Sequence, residues 1–312
     1  MSDKQPRNIA IIGGSGQIGT PTLAALLDVG IHTITAITRQ DSTSSFPPKV
    51  KVLRGSYYNA AFVTSALQGQ DVLIVVLGLT VPTAVGINII DAAAKAGVPW
   101  VLPTEFGCDN GNQKLRSEVF AVTMKDPYRE RIAQLGVSSW IGIVNNPWFE
   151  FSLKSGLFGI DIANRKARLY DDGAVKANTT TLRKVGKSVA GLLSLPDAQL
   201  AQFKNQFAYL SSFRVSQREM LDAVIRATGT SGKDWTVEKV STVEATGSAK
   251  VKANDGDMSA VMELLYGTIF REGYGGDYNR TRVIINKMLG LEDEDFEETV
   301  REVVKDIEKS SV

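Results

Sequence analysis

The sequence is poor in residues on which many enzymes depend. Its 312 residues include one cysteine, Cys108, and one histidine, His32. A single cysteine cannot form an intramolecular disulfide or a cysteine-based metal site. A single histidine leaves no histidine cluster for zinc, and a Ser-His-Asp hydrolase would need His32 as its base. Because His32 lies just after Gly30, in the expected turn into a second strand, we expect it to face solvent and not a catalytic cleft.

Charge imbalance and long apolar runs are also missing. The 35 basic and 34 acidic residues give a formal net charge of +1, so there is no electrostatic case for a nucleic-acid or anionic-membrane partner. No run approaches the ~18 apolar residues of a membrane span, and the first residues lack an apolar signal core. We therefore expect a cytoplasmic protein with no membrane partner.

The most informative stretch that is present is a glycine turn near the start of the chain. Residues 8–12 are typical of a strand buried on both faces, and a helix-like stretch begins at Thr20. Between them, three glycines at G-x-x-G-x-x-G spacing would permit a sharp turn, close approach of a pyrophosphate and close helix packing. A purely structural turn is the alternative, but the strand–turn–helix context favours a dinucleotide site. The predicted cofactor-binding residues here are Gly13, Gly14, Ser15, Gly16, Gln17, Ile18 and Gly19.

Strand-like and helix-like stretches alternate through the first half of the chain. This alternation predicts an α/β protein with a Rossmann-type doubly wound parallel sheet. After Val144 the alternation fades, and residues 168–170 and 179–181 suggest a hairpin-like pair. We predict an NADP-binding Rossmann domain over residues 1–145, with a return segment near 175–215. Residues 146–312 would form a smaller α+β substrate-binding lobe.

The end of the second strand indicates which dinucleotide is bound. An acidic residue there would bind the ribose 2′-hydroxyl of NAD, but this sequence has Arg39. A guanidinium can hold a 2′-phosphate through two hydrogen bonds, which favours NADP(H). Lys49 can add positive charge beyond the following loop. The alternative is that Arg39 is an ordinary surface arginine.

The segments after the fourth and fifth strands should line the ligand crevice, since the carboxyl ends of parallel strands form it. Glu105 could serve in catalysis or as a structural carboxylate that accepts backbone hydrogen bonds, and we favour the structural role. The predicted cofactor-binding residues in these segments are Gly78, Leu79, Thr80, Thr104, Glu105 and Phe106.

The Tyr-x-x-x-Lys pair of ordinary short-chain reductases is missing, because no tyrosine has a lysine four residues later. Lys125 is the remaining candidate. It lies in a predicted helix over residues 120–136, from which it can point into the nicotinamide crevice as a general acid or base. Pro127 either stands near the start of that helix or kinks it. A solvated helix lysine is the alternative.

These motifs resemble the NmrA-like, isoflavone-reductase-like branch of the atypical short-chain dehydrogenases. The glycine turn, Arg39, the stretch Pro103-Thr-Glu-Phe-Gly107 and the spacing of Lys125 eleven residues before Gly136 carry the resemblance. It covers about residues 7–195 well and the rest loosely. It implies that Lys125 is the catalytic acid or base and also contributes to the cofactor site.

Two departures bear on this implied role. The Arg-Arg pair of the family is Arg129-Glu130-Arg131 here, and Pro127 could redirect Lys125.

An aromatic-rich stretch follows the sixth strand. Phe149 stands where the family has an aromatic residue near the nicotinamide. Such a stripe can be core packing, but its position beyond the crevice suits a substrate wall. The predicted substrate-binding residues are Phe106, Trp148, Phe149 and Leu153.

Together these features predict an NADPH-dependent reductase of a small aromatic or conjugated secondary metabolite, acting as a monomer or homodimer. The alternative is a non-catalytic, NADP-binding redox sensor that acts through a protein partner. A large exposed apolar patch in place of a closed pocket would favour the sensor.

Overall fold

The computed structural model describes residues 4–78 and 80–310, which form an α/β fold. The strands are β1 Asn8–Ile12, β2 Thr33–Thr38, β3 Lys51–Arg54, β4 Val72–Val75, β5 Trp100–Leu102, β6 Ser139–Val144, β7 Ile160–Asp161, β8 Lys166–Tyr170, β9 Lys176–Thr179, β10 Gln206–Tyr209, β11 Phe213–Ser216 and β12 Thr236–Val240. The helices are α1 Gly19–Val29, α2 Ala60–Leu67, α3 Thr83–Lys95, α4 Gln113–Glu118, α5 Phe120–Thr123, α6 Asp126–Leu135, α7 Phe149–Lys154, α8 Leu182–Leu193, α9 Asp197–Leu200, α10 Gln217–Ala227, α11 Thr242–Asn254, α12 Met258–Ile269 and α13 Phe296–Ser310.

Seven strands form one central sheet in the order β10-β6-β5-β4-β1-β2-β3. Every pairing in it is parallel. The chain runs outward from β1 through β2 to β3, then returns to place β4 on the other side of β1. A ligand crevice is expected outside the carboxyl ends of the strands at such a reversal. The predicted Rossmann-type doubly wound fold is confirmed.

Helices cover both faces of this sheet, as the continuous apolar strands require. β4 is buried along its whole length. Helices α1 and α8 lie on one face, where Gly186 packs directly against Pro21. A Cβ on Gly186 would lie 2.3 Å from the Pro21 carbonyl oxygen, so glycine permits this close approach. Helix α1, which follows the glycine turn, is thereby fixed on the sheet.

The second half of the chain builds a smaller set of sheets and returns one strand to the central sheet. β10 pairs with β6, and it lies within the predicted return segment near 175–215. The predicted hairpin is wrong: β8 pairs with β7 and β12, whereas β9 pairs with β11. Asp171, directly after β8, has a left-handed φ of 54° and accepts hydrogen bonds from Thr242, which tie the end of β8 to the start of α11. The domain boundary at residue 145 stays a prediction.

His32 does not face solvent as expected. It is half-buried, where its Nδ1 accepts a hydrogen bond from the Arg7 amide and its Nε2 lies 3.0 Å from the Ser194 hydroxyl. Burial, and then the nearby Arg7 charge, lower the pKa of His32 from 6.5 to about 4. His32 therefore links the start of β1 to the end of α8.

Within the described ranges, none of the helices combines the length and apolar character needed to cross a bilayer.

Candidate functional site

The glycine turn has the close contacts that its motif requires. Gly13 has a left-handed φ of 82°, and a Cβ there would lie 2.0 Å from the Val76 carbonyl oxygen. A Cβ on Gly19 would lie 2.1 Å from the Gly13 oxygen. Gly16 differs, because it is exposed and a Cβ there would meet only the Gly13 oxygen, at 3.3 Å. The first and third glycines are thus demanded by packing, whereas the second leaves the backbone open to a ligand.

The start of α1 can receive an anion. Its N-cap is Ile18, and no side chain of the described residues caps it. The positive end of the helix dipole and its free N–H groups therefore remain for a ligand. Ser15 and Gln17 are exposed beside it. The Ile18 side chain is buried, and a Cβ on Gly14 would lie 3.0 Å from the Leu23 side chain, so these two positions offer their backbone.

Arg39 and Lys49 are both exposed at the end of this crevice. The Arg39 Nε lies 3.5 Å from Asp41, but the two side chains are 69% and 78% exposed. An ion pair this exposed contributes little, so the guanidinium can exchange it for a stronger anion.

The loop between Arg39 and Lys49 is held in place by a residue that the motif search missed. Arg54 donates to the Ser42 and Ser44 carbonyl oxygens at 2.7 and 2.8 Å. The Ser44 hydroxyl in turn lies 3.0 Å from the Ser15 hydroxyl of the glycine turn. Arg54 ends β3, and an arginine at a strand end gives no sequence signal for such an anchoring role.

A cavity of about 340 Å³ opens at the carboxyl ends of β4 and β5, beside the glycine turn. Most of its lining is apolar. The lining residues are Val76, Leu77, Gly78, Val81, Thr83, Thr104, Glu105, Phe106, Gly107, Cys108, Ala121, Val122, Met124, Lys125, Tyr128, Asn146, Pro147, Trp148, Phe151, Met262, Leu265 and Tyr266. Six predicted site residues are among them: Gly78, Thr104, Glu105, Phe106, Lys125 and Trp148. Thr80 is exposed nearby in sequence, and Leu79 lies outside the described residues.

Thr104 and Glu105 line the cavity, and their side chains are engaged in bonds within the protein. The Thr104 hydroxyl bonds both the amide and the carbonyl of Leu77, which ties the ends of β4 and β5 together. The Glu105 side chain is 1% exposed and its carboxylate accepts from Arg129 at 2.8 Å. Its partner is thus a guanidinium instead of the expected backbone amides.

Arg129 extends this pair into a partly buried network of charged side chains. Its second nitrogen donates to Asp126 at 2.5 Å, and Asp126 also accepts from Arg116 at 2.7 Å. Burial alone would raise the pKa of Asp126, but hydrogen bonds from Arg116 and Asn110 and the charge of Arg129 lower it on balance. Arg129, the first arginine of the Arg129-Glu130-Arg131 stretch that replaces the Arg-Arg pair of the family, therefore binds the Glu105 carboxylate.

Lys125 lies at the break between two helices. The predicted helix end at Gly136 is confirmed, and of the two alternatives for Pro127 the structure has the one near the helix start, because α5 ends at Thr123 and α6 begins at Asp126. Pro127 occupies the first turn of α6, where its missing N–H costs no hydrogen bond. The Lys125 ammonium lines the cavity and donates to the Glu105 carbonyl oxygen. Pro127 thus starts the helix without turning Lys125 away from the crevice.

The far wall of the cavity is built from the second half of the chain. The Trp148 indole donates to the Phe106 carbonyl oxygen at 3.1 Å, which fixes the ring across the cavity. Phe149 and Leu153 are 0% and 1% exposed and lie in the core behind this wall. Phe151 stands in the wall itself. Helical spacing from Trp148 could have identified Phe151, since residues three apart share a helix face.

Asn146 is a further residue that the sequence reading missed. It has a left-handed φ of 52° and lines the cavity. Its side-chain amide donates to the Gly276 carbonyl oxygen at 2.9 Å. It therefore anchors the glycine-rich segment at 273–276 to the end of β6.

Comparison with known proteins places the chain among reductase-like sequences. A family model described as the NmrA-like family matches residues 5–152. The chain is 30% identical over 316 residues to "Oxidoreductase poxI" of Penicillium oxalicum, covering 96% of this chain and 95% of the relative. It is 29% identical over 304 residues to "Oxidoreductase aprR" of Aspergillus flavus, covering 95% and 98%. The solved structure of AtPrR2 with NADP+ and (+)-pinoresinol superposes with a TM-score of 0.78 at 19% identity, covering 96% and 99%. At that identity the structural likeness shows the fold.

Proposed function

The chain belongs to the NmrA-like, isoflavone-reductase-like family, as its sequence motifs indicated, and on that premise we propose that it is an NADPH-dependent reductase of a small aromatic or conjugated compound. The observation that carries the proposal is an apolar cavity at the carboxyl ends of β4 and β5 with the Lys125 ammonium in its wall. The relatives named as oxidoreductases support a redox reaction.

The residues of the first half fit NADP(H). The crowded Gly13 and Gly19 shape a turn that leaves the Gly16 backbone and the start of α1 open to a pyrophosphate. Arg39 and Lys49 are positively charged and exposed where a 2′-phosphate would lie. The NADP+ bound by AtPrR2, which has the same fold, supports this assignment.

The division of tasks follows from the site. NADPH, when bound, supplies a hydride to a substrate carbon. The Lys125 ammonium can give a proton to the substrate atom on which negative charge develops. The Glu105 carbonyl oxygen holds that ammonium at the cavity wall. Trp148 and Phe151 present flat apolar surface to an aromatic substrate and exclude water from it.

The apolar cavity supports an enzyme over a redox sensor. A sensor acting through a protein partner would be favoured by a large exposed apolar patch. Here the apolar surface lines a cavity that also contains a lysine, which suits chemistry on a small molecule.

The test is NADPH oxidation with a panel of quinones, aromatic enones and imines, alongside direct measurement of NADPH binding. We expect tight NADPH binding and turnover of at least one conjugated member of the panel. Tight NADPH binding with no turnover of any of them would instead support the sensor.

A further inference from the structure

Tyr128 lies one helical turn after Lys125 and lines the same cavity. Its amide donates to the Lys125 carbonyl oxygen at 3.2 Å, so the two residues stand at the start of one helical turn. Side chains three positions apart are neighbours on a helix surface. The sequence lacks the Tyr-x-x-x-Lys pair, but it has a lysine and a tyrosine in the reverse order, Lys125 and Tyr128, which both line the cavity.

The Tyr128 ring is fixed, but its hydroxyl is not engaged. The residue is 8% exposed and packs against Gly86 of α3. A Cβ on Gly86 would lie 2.4 Å from the Tyr128 Cε1 and 3.0 Å from its Cζ, so only glycine leaves room for the ring. Among the described residues, the hydroxyl has no hydrogen-bond partner, and it is not sealed from solvent.

Most other donors in the cavity lining are already used within the protein. Their partners are Leu77 for Thr104, Phe106 for Trp148, Ser152 for Tyr266 and Gly276 for Asn146. Burial raises the pKa of Cys108 to about 12, so it stays a thiol, which is a weak donor. Thr83 is exposed at the rim. Among the described lining residues that are not exposed, the Lys125 ammonium and the Tyr128 hydroxyl are therefore the strong donors left for a substrate.

We propose that Tyr128 donates a hydrogen bond to the substrate oxygen that Lys125 protonates. The inference rests on the proposed function and narrows it to substrates with an oxygen conjugated to the reacting carbon. When that carbon accepts a hydride, the electron pair of the double bond moves onto the oxygen. Tyr128 stabilises the resulting oxyanion, and Lys125 transfers a proton to it, which leaves a neutral product hydroxyl and a neutral lysine amine.

The test measures binding, not turnover. 4-Nitrophenol and nitrobenzene are titrated into the protein saturated with NADP+, because the two probes differ only in the phenolic oxygen. Tyr128→Phe keeps the ring against Gly86 and removes only the hydroxyl. It should weaken 4-nitrophenol binding about 10-fold, as loss of a hydrogen bond to an anionic oxygen implies, and leave nitrobenzene binding unchanged.

A second variant changes Gly86, the residue against which the Tyr128 ring packs. Gly86→Ala keeps the hydroxyl but displaces the ring, and alanine is otherwise the better helix residue. It should also weaken the binding of 4-nitrophenol more than the binding of nitrobenzene. Tyr58→Phe, which removes an exposed hydroxyl outside the cavity lining, is the matched control and should change neither probe.

The outcomes separate the two proposals. If wild type binds 4-nitrophenol and Tyr128→Phe binds it equally well, Tyr128 is not the donor and the proposed function stands. If wild type binds NADP+ but neither probe, the cavity is not an aromatic substrate site. Both the proposed function and the proposed role of Tyr128 are then wrong.

Discussion

The buried pair between Arg129 and Glu105 offers the sharpest test of how the site is held. We predict that Arg129→Met destabilises the protein by about 3 kcal/mol. Removing one partner of a buried ion pair typically costs about 3–5 kcal/mol, because the other charge is left buried and unpaired. Glu105 is 1% exposed and its other carboxylate oxygen has no partner, so it has nothing to replace Arg129. We expect the lower end of that energy range because Asp126, the other partner of Arg129, still has its ion pair with Arg116.

Urea denaturation followed by tryptophan fluorescence measures this change. The matched control is Arg131→Met on the same helix, whose pair with Asp91 is 33% and 30% exposed and should matter little. Glu105→Gln combined with Arg129→Met should recover much of the loss, since neither charge is then left alone. If Arg129→Met is no more destabilising than Arg131→Met, the reasoning about the buried network is wrong.

Two further predictions concern the cofactor and pH. Arg39→Asp should lower NADPH affinity at least about 10-fold and leave NADH affinity nearly unchanged, because only NADPH has the 2′-phosphate; fluorescence titration measures both, and equal losses would contradict the assignment. The folded-state pKa of His32 is lowered, so its contribution to stability is present above pH 6.5 and is lost as pH falls toward about 4. His32→Asn should therefore show a shallower fall in unfolding free energy across that range, and parallel pH curves for the two proteins would refute it.

The central sheet could be predicted from sequence because its signals are local. Continuous apolar strands, the glycine turn and the left-handed glycine at position 136 each follow from their own residues and near neighbours. The hairpin prediction failed because the partners of β8 and β9 lie far along the chain, at β12 and β11. Long-range pairing of this kind leaves no trace in residue spacing.

In the candidate site, too, local sequence signals predicted some residues, whereas the contacts made through tertiary packing could not be predicted. Lys125 and Glu105 were found through motifs, but the carbonyl contact between them and the role of Arg129 depend on tertiary packing. Tyr128 carries no motif, and only the folded structure shows that it packs against Gly86 and lines the cavity.

Lys125→Met gives the most direct test of the central claim, that this cavity carries out reduction with a lysine as proton donor. Methionine keeps most of the length and of the apolar stem but cannot carry a proton. With the best substrate of the panel, we predict that kcat falls at least about 100-fold, the lower end of the range for general acid–base catalysis, while the Kd for NADPH is unchanged. Full kcat in Lys125→Met, at the same NADPH affinity, would contradict the account.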